Sequence, residues 1–137
     1  MKKQATAIWN GTGKDGKGYL STANGLLNKA EYTAGSRFEN APGTSPEELI
    51  AAAHSGCFSM KLAFNLQEAG FNPTEIKTLC TVTIEEGTIT ESHLDLEAKV
   101  DGIEASKFEE LAIHAKDNCP VSKALNVNKT MNLKLIK

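Results

Sequence analysis

The segment Thr44-Ser45-Pro46-Glu47-Glu48-Leu49-Ile50-Ala51-Ala52-Ala53-His54-Ser55-Gly56-Cys57-Phe58-Ser59-Met60 decides how the rest of the chain is read. Ser45 suits an N-cap, Pro46 suits the first helical position because its missing N–H is no loss there, and Glu48 stands where a capping box needs a carboxylate. Glu48 therefore has a structural task, which leaves its neighbour Glu47 available to pair with a cation. Helical composition continues to Gly70, a good C-terminal glycine, with Pro73 soon after. Ser55-Gly56 is the one place where this central helix could break and restart. Cys57 would then sit at a new helix N-terminus, among unpaired N–H groups that favour a thiolate.

On the N-terminal side of this helix, residues 4–10 and 17–22 read as extended segments joined by the turn-rich stretch Asn10 to Gly18. Asn24-Gly25 marks a second tight turn, and an extended segment is expected over 26–38, making the N-terminal third a meander. On the C-terminal side, Ile76, Cys80, Val82 and Ile84 alternate with Lys77, Thr81, Thr83 and Glu85, which is strand periodicity. Glu86-Gly87-Thr88 turns the chain into a second strand with Leu94, Leu96, Ala98 and Val100 on one face, so an antiparallel hairpin is expected. A helix over 104–118 presents Phe108, Leu111, Ala112 and Ala115 on one side and ends at Asn118-Cys119-Pro120. A short helical turn and a closing strand from Val127 to Ile136 follow. No repeat or linker divides the 137 residues, so the sequence predicts one α+β domain over 1–137.

Fifteen basic and seventeen acidic residues give a net charge of -2, with no run of Lys or Arg to track a phosphate backbone or an anionic membrane. Nucleic acid and membrane are not expected partners. Met1-Lys2-Lys3 has the charge of a secretory leader, but residues 4–10 supply no apolar run behind it, and no later stretch is long enough to span a bilayer. The expected compartment is the cytoplasm. There, an odd set of three cysteines points to inert core thiols, metal ligands or redox catalysts. Their spacing matches no compact zinc pattern, so neither a metal nor a cofactor is expected.

Cys80 shares its strand phase with valine and isoleucine, which reads as a buried thiol of low reactivity. Cys57 is open to two readings, a reactive thiol or a small residue in a tightly packed helix. Cys119 precedes Pro120 at a helix end, where exposure and a flexible junction would suit a resolving thiol, though a cysteine plugging a helix end is equally consistent. Arg37 is the only arginine among fourteen lysines. A planar cation that stays charged suits the stabilisation of a thiolate and of an oxygen leaving a peroxide, and a surface ion pair is the plainer alternative. His54, three residues before Cys57, raises a Cys-His nucleophile pair, but no orienting group is evident in the sequence. His93 and His114 read as surface or boundary residues.

Three blocks carry a resemblance: Ser36-Arg37-Phe38-Glu39, Gly43 through Met60, and Asn118-Cys119-Pro120-Val121-Ser122-Lys123-Ala124-Leu125. In them the chain resembles the osmotically inducible protein C and organic hydroperoxide resistance proteins, and is closer to the first branch. The resemblance implies a cysteine-based peroxidase that reduces organic hydroperoxides and extends to hydrogen peroxide. Cys57 would be the peroxidatic cysteine, Cys119 the resolving cysteine, and Arg37 with Glu47 the pair that activates Cys57. It also implies an external dithiol reductant and an intertwined homodimer with antiparallel sheets wrapped around central helices. On one straight helix Glu47 and Cys57 stand about 15 Å apart along the axis, so either the helix breaks at Ser55-Gly56 or Arg37 spans the gap. Phe38, Phe58 and Met60 are expected to line an apolar pocket or to pack in the core. Two other functions fit the same residues: a redox sensor or binding module using the cysteine pair, and a Cys-His acyl-transfer enzyme.

Overall fold

The computed structural model describes residues 1–136. The chain divides into two compact units, residues 1–49 and the remainder from Ile50.

The first unit holds a three-stranded antiparallel meander of β1 (Ala5–Asn10), β2 (Lys17–Thr22) and β3 (Ala30–Tyr32). Register places Gly18 between Trp9 and Tyr32, whose rings stand 5.3 Å apart. A Cβ on Gly18 would come within 2.5 Å of both rings, so this position has room for glycine alone. The extended segment expected over 26–38 is only partly present. After β3, Thr33 caps a short helix, α1 (Ala34–Phe38), through a reciprocal box with Ser36. A backbone whose N–H groups are met by Thr33 and Ser36 gains more from a helical turn than from an unpaired strand edge.

Helix α2 (Pro46–Glu68) begins at the expected residue and runs without interruption through Ser55 and Gly56. A mid-helix glycine costs about 1 kcal/mol relative to alanine, too little to break a packed helix. The Ser55 hydroxyl donates back to Ala52 O at 3.1 Å. The helix ends in a Schellman motif: Phe71 N–H donates to Leu66 O and Gly70 N–H to Gln67 O, with Gly70 at φ +91°.

The second unit is built on a sheet of order β4 (Pro73–Glu85), β5 (Thr88–Val100) and β6 (Asn128–Ile136). β4 and β5 form the expected antiparallel hairpin, turning on Glu86 and Gly87, both at positive φ. β6, the closing strand, pairs parallel to β5. A parallel partner needs a crossover connection, and residues 101–127 supply it with α3 (Ala105–Asn118) and α4 (Pro120–Ala124).

The buried core of this unit joins Phe58, Leu62 and Leu66 of α2, spaced four apart, to the in-phase residues Leu94, Leu96 and Ala98 of β5 and to Phe108, Ala112 and Ala115 of α3. The far side of α2 is apolar yet uncovered. Ala52, Ala53 and Gly56 are exposed, Met60 and Phe64 are 65% and 54% exposed, and a Cβ on Gly56 would meet nothing within 4 Å.

Candidate active site

In the first unit the structure brings Arg37 and Glu47 together. Arg37 lies in the last turn of α1 and Glu47 in the first turn of α2. The connection between them is folded back by Ser36, whose hydroxyl donates to Thr44 O at 2.9 Å, and by Thr44 N–H, which donates to Glu31 O at 3.0 Å. Arg37 Nε donates to both carboxylate oxygens of Glu47, at 2.5 and 3.2 Å. One nitrogen straddles the carboxylate, and the two-nitrogen fork usual for arginine is not used. Glu47 is buried while Arg37 remains nearly half exposed. Ser45 does cap the helix, its Oγ accepting from the Glu48 N–H at 3.0 Å. The Glu48 carboxylate, however, accepts from the Thr44 hydroxyl instead of closing the expected box. The Arg37 guanidinium sits 4.8 Å from the centre of the Phe38 ring. Beside it a half-open recess of about 260 Å³ is walled by Trp9, Tyr32, Arg37 and Phe38. Phe38 thus belongs to a pocket, whereas Phe58 is fully buried core and Met60 faces outward.

In the second unit Cys57 and Cys119 are both free thiols, near enough that Cys119 raises the pKa of Cys57. Cys119 closes α3 and opens α4 with an extended backbone, φ −68° and ψ 142°, because Pro120 disfavours helical geometry in the residue before it. The exposure expected for Cys119 is absent. Its side chain is fully buried, and its thiol donates to Ser122 Oγ at 3.1 Å. The α4 turn folds the junction back over the thiol and excludes water. Cys57 is half-buried. Burial pushes its pKa up, a hydrogen bond from the Val121 backbone N–H draws it down, and the neighbouring Cys119 raises it again.

His54, one turn before Cys57, is also fully buried. Its Nδ1 lies 2.6 Å from Ser92 Oγ and its Nε2 2.6 Å from Ser122 Oγ, so both ring nitrogens are taken by serines. Burial pushes the imidazole pKa down and the ammonium of Lys129 pushes it further. That ammonium donates to Ser122 O at 2.9 Å and to Leu125 O at 2.7 Å, clasping α4 to β6. Cys80 faces the core as its strand phase required. Its Sγ is 3.2 Å from Ser92 Oγ and 3.8 Å from His54 Nδ1. Burial raises its pKa, and the Ser92 hydroxyl partly offsets this. His93 is half-buried against Thr130 and Asp95, and His114 is exposed.

Sequence reasoning missed Ser92, Ser122 and the Val121 N–H. Ser92 did leave a signal, because it is a polar residue in the buried phase of Leu94 and Leu96. Ser122 stands in the Cys119-Pro120-Val121-Ser122 block, but nothing local points to its partner His54, 68 residues away. Among the described residues no group of three or more His, Cys, Asp or Glu side chains is placed to hold a metal ion. No helix among the described residues is long and apolar enough to cross a membrane.

Residues 38–134 match the family model described as OsmC-like protein. Peroxiredoxin OsmC of Escherichia coli (strain K12) is 44% identical over 139 residues, covering 98% of this chain and 97% of that protein. A solved OsmC-like protein from Mycoplasma pneumoniae superposes with a TM-score of 0.79 at 14% identity, over 100% of this chain and 99% of the other. The organic hydroperoxide resistance protein OhrB of Bacillus subtilis superposes with a TM-score of 0.64 at 24% identity, over 97% and 98%. At those identities the two structures speak for a common α+β fold alone.

Proposed function

The chain belongs to the OsmC-like protein family and is a thiol-dependent peroxidase, and from that premise we propose that Cys57 attacks the hydroperoxide, Cys119 resolves the product, and Arg37, held by Glu47, activates Cys57. The observation that carries this reading is the hold of the buried Glu47 carboxylate on Arg37, in a chain whose Cys57 and Cys119 are both free thiols. Burial alone disfavours the Cys57 thiolate, so activation requires a positive charge, and an opposite charge nearby lowers a pKa by about 1–3 units. Arg37 is the only arginine in the chain, and the buried Glu47 carboxylate holds its Nε edge while the rest of the guanidinium stays accessible.

The Cys57 thiolate attacks one peroxide oxygen, the O–O bond breaks, and an alkoxide or hydroxide leaves and takes up a proton. Arg37 stabilises the charge developing on the leaving oxygen. The sulfur becomes a sulfenic acid, and attack by Cys119 converts it to a disulfide before further oxidation. An external dithiol returns both thiols. Organic hydroperoxides are the substrates, and hydrogen peroxide a further one.

The chain acts as a single domain, since the family match runs across both units, and it works in the cytoplasm. It is a homodimer, and the bare apolar face of α2 supports this. The reduced protein, given an organic hydroperoxide, should lose two of its three thiols and turn over continuously only when a dithiol is supplied. Cys57→Ser should abolish consumption. Full turnover by that variant would overturn the assignment, and a single stoichiometric oxidation with no turnover would make the pair a sensor.

A further inference from the structure

The buried groups left without a task in this chemistry form one hydrogen-bonded chain within the second unit. Cys119 Sγ is 3.1 Å from Ser122 Oγ, Ser122 Oγ 2.6 Å from His54 Nε2, His54 Nδ1 2.6 Å from Ser92 Oγ, and Ser92 Oγ 3.2 Å from Cys80 Sγ. His54, Ser92 and Ser122 are at most 1% exposed, so water does not compete for these bonds. One assignment of protons satisfies all four bonds, starting from the Cys119 thiol as donor. The Cys119 thiol donates to Ser122, so the Ser122 hydroxyl is free to donate to Nε2. The imidazole proton then rests on Nδ1 and is given to Ser92, and the Ser92 hydroxyl turns to Cys80. Nε2 is left as an unprotonated base, one hydroxyl away from the thiol that must ionise.

We propose that Ser122 and His54 form a proton relay that deprotonates Cys119 for its attack on the Cys57 sulfenic acid, with Ser92 and Cys80 holding the imidazole in the tautomer the relay requires. This rests on the assignment of Cys57 and Cys119 made above. Ser122 touches the reacting sulfur of Cys119 directly, at 3.1 Å, whereas His54 acts on it only through Ser122. In the step, the Cys119 proton passes to Ser122 Oγ as the Ser122 proton passes to His54 Nε2. The sulfur lone pair of Cys119 forms the S–S bond, and the S–O bond of the sulfenic acid breaks. The departing hydroxide takes up a proton and leaves as water, and the imidazolium later loses its proton to solvent. One sulfenic acid and one thiol thus become one disulfide and one water, with no further oxidant or reductant.

A proton carrier of this kind needs an imidazole that is neutral at rest and geometrically fixed. Burial and Lys129 keep it neutral. The titratable or charged groups facing it are Cys80 on β4, Cys119 between α3 and α4 by way of Ser122, and Lys129 on β6, while Cys57 lies one turn along α2 and β5 offers only Ser92. None of these is a carboxylate, so no neighbour stabilises the imidazolium, and the proton is held only briefly.

The test is single-turnover kinetics on the full-length reduced protein mixed with one equivalent of an organic hydroperoxide, in which sulfenic acid formation and disulfide formation are followed as separate phases across pH. In the wild type the second phase should be nearly independent of pH from about 7 to 8, because the base is already neutral there. In Ser122→Ala the second phase should slow about 100-fold more than the first. It should also rise with pH where the wild type is flat, because hydroxide from solution must then do the work of the missing internal base. His54→Gln should behave likewise, and Ser122→Thr, which keeps the hydroxyl, should restore the wild-type profile. A second phase in Ser122→Ala with the wild-type rate and pH profile would overturn the relay. Absence of the first phase in the wild type would instead overturn the assignment of Cys57.

Discussion

His54 makes the stability of the fold depend on pH in a way that can be isolated. It is fully buried, and burial, reinforced by Lys129, sets its folded pKa below the unfolded value. As pH falls through about 6.5, the unfolded chain takes up a proton that the folded chain refuses. The unfolded state then binds more protons, so the free energy of unfolding rises with pH. The stability contributed by a neutral His54 is complete above about pH 6.5 and is lost below it at up to about 1.4 kcal/mol per pH unit, until the folded imidazole itself titrates. If the folded ring stays neutral throughout, the loss reaches about 2 kcal/mol by pH 5. Carboxylates and the other histidines titrate in the same range, so the informative quantity is a difference. Urea unfolding of the wild type and of His54→Gln, followed by circular dichroism at one protein concentration, should give a stability difference that is constant from about pH 8 to 7. It should move against the wild type by about 1–2 kcal/mol between pH 6.5 and 5. A difference that stayed constant down to pH 5 would refute the argument that burial holds this imidazole neutral.

Phe58→Ala removes a fully buried ring from the core beside Cys57. It should cost about 3–5 kcal/mol, seen calorimetrically as a fall in Tm of about 10–15 °C. Arg37→Lys retains a charge but loses the planar Nε edge that Glu47 holds. Steady-state peroxide consumption should show kcat/KM lowered about 100-fold, with little change in thermal stability.

Much of the fold was legible because its signals are local. Glu48 and Ser45 announce the start of α2, Gly70 its end, and the alternation around Cys80 and Leu94 the hairpin. Two failures have local causes as well. The Thr33 and Ser36 cap was present in the sequence, but the run over 26–38 was read for extension and not for capping. Ser55-Gly56 was weighed as a break, although one glycine cannot outweigh the burial of Phe58, Leu62 and Leu66 on the same helix. The site divides along another line. Residue types with few substitutes, such as the single arginine or a cysteine before a proline, stand out in sequence. The serines that hold His54 do not, since a serine means nothing until the chain has folded it against a partner 38 or 68 residues away. Burial of Cys119 was missed for the same reason. Pro120 dictates an extended backbone at Cys119, but it does not say which way the side chain turns.

That burial also governs the regiochemistry of reactivation. In a Cys57–Cys119 disulfide, the sulfur within reach of an incoming thiolate is that of the half-buried Cys57, while Cys119 is sealed beneath α4. On the assignment proposed for the two cysteines, the reductant would form its mixed disulfide with Cys57, and Cys119 would depart as the leaving group. It would depart towards Ser122 Oγ, 3.1 Å away, so the hydroxyl proposed to take its proton on the way in is placed to return one on the way out.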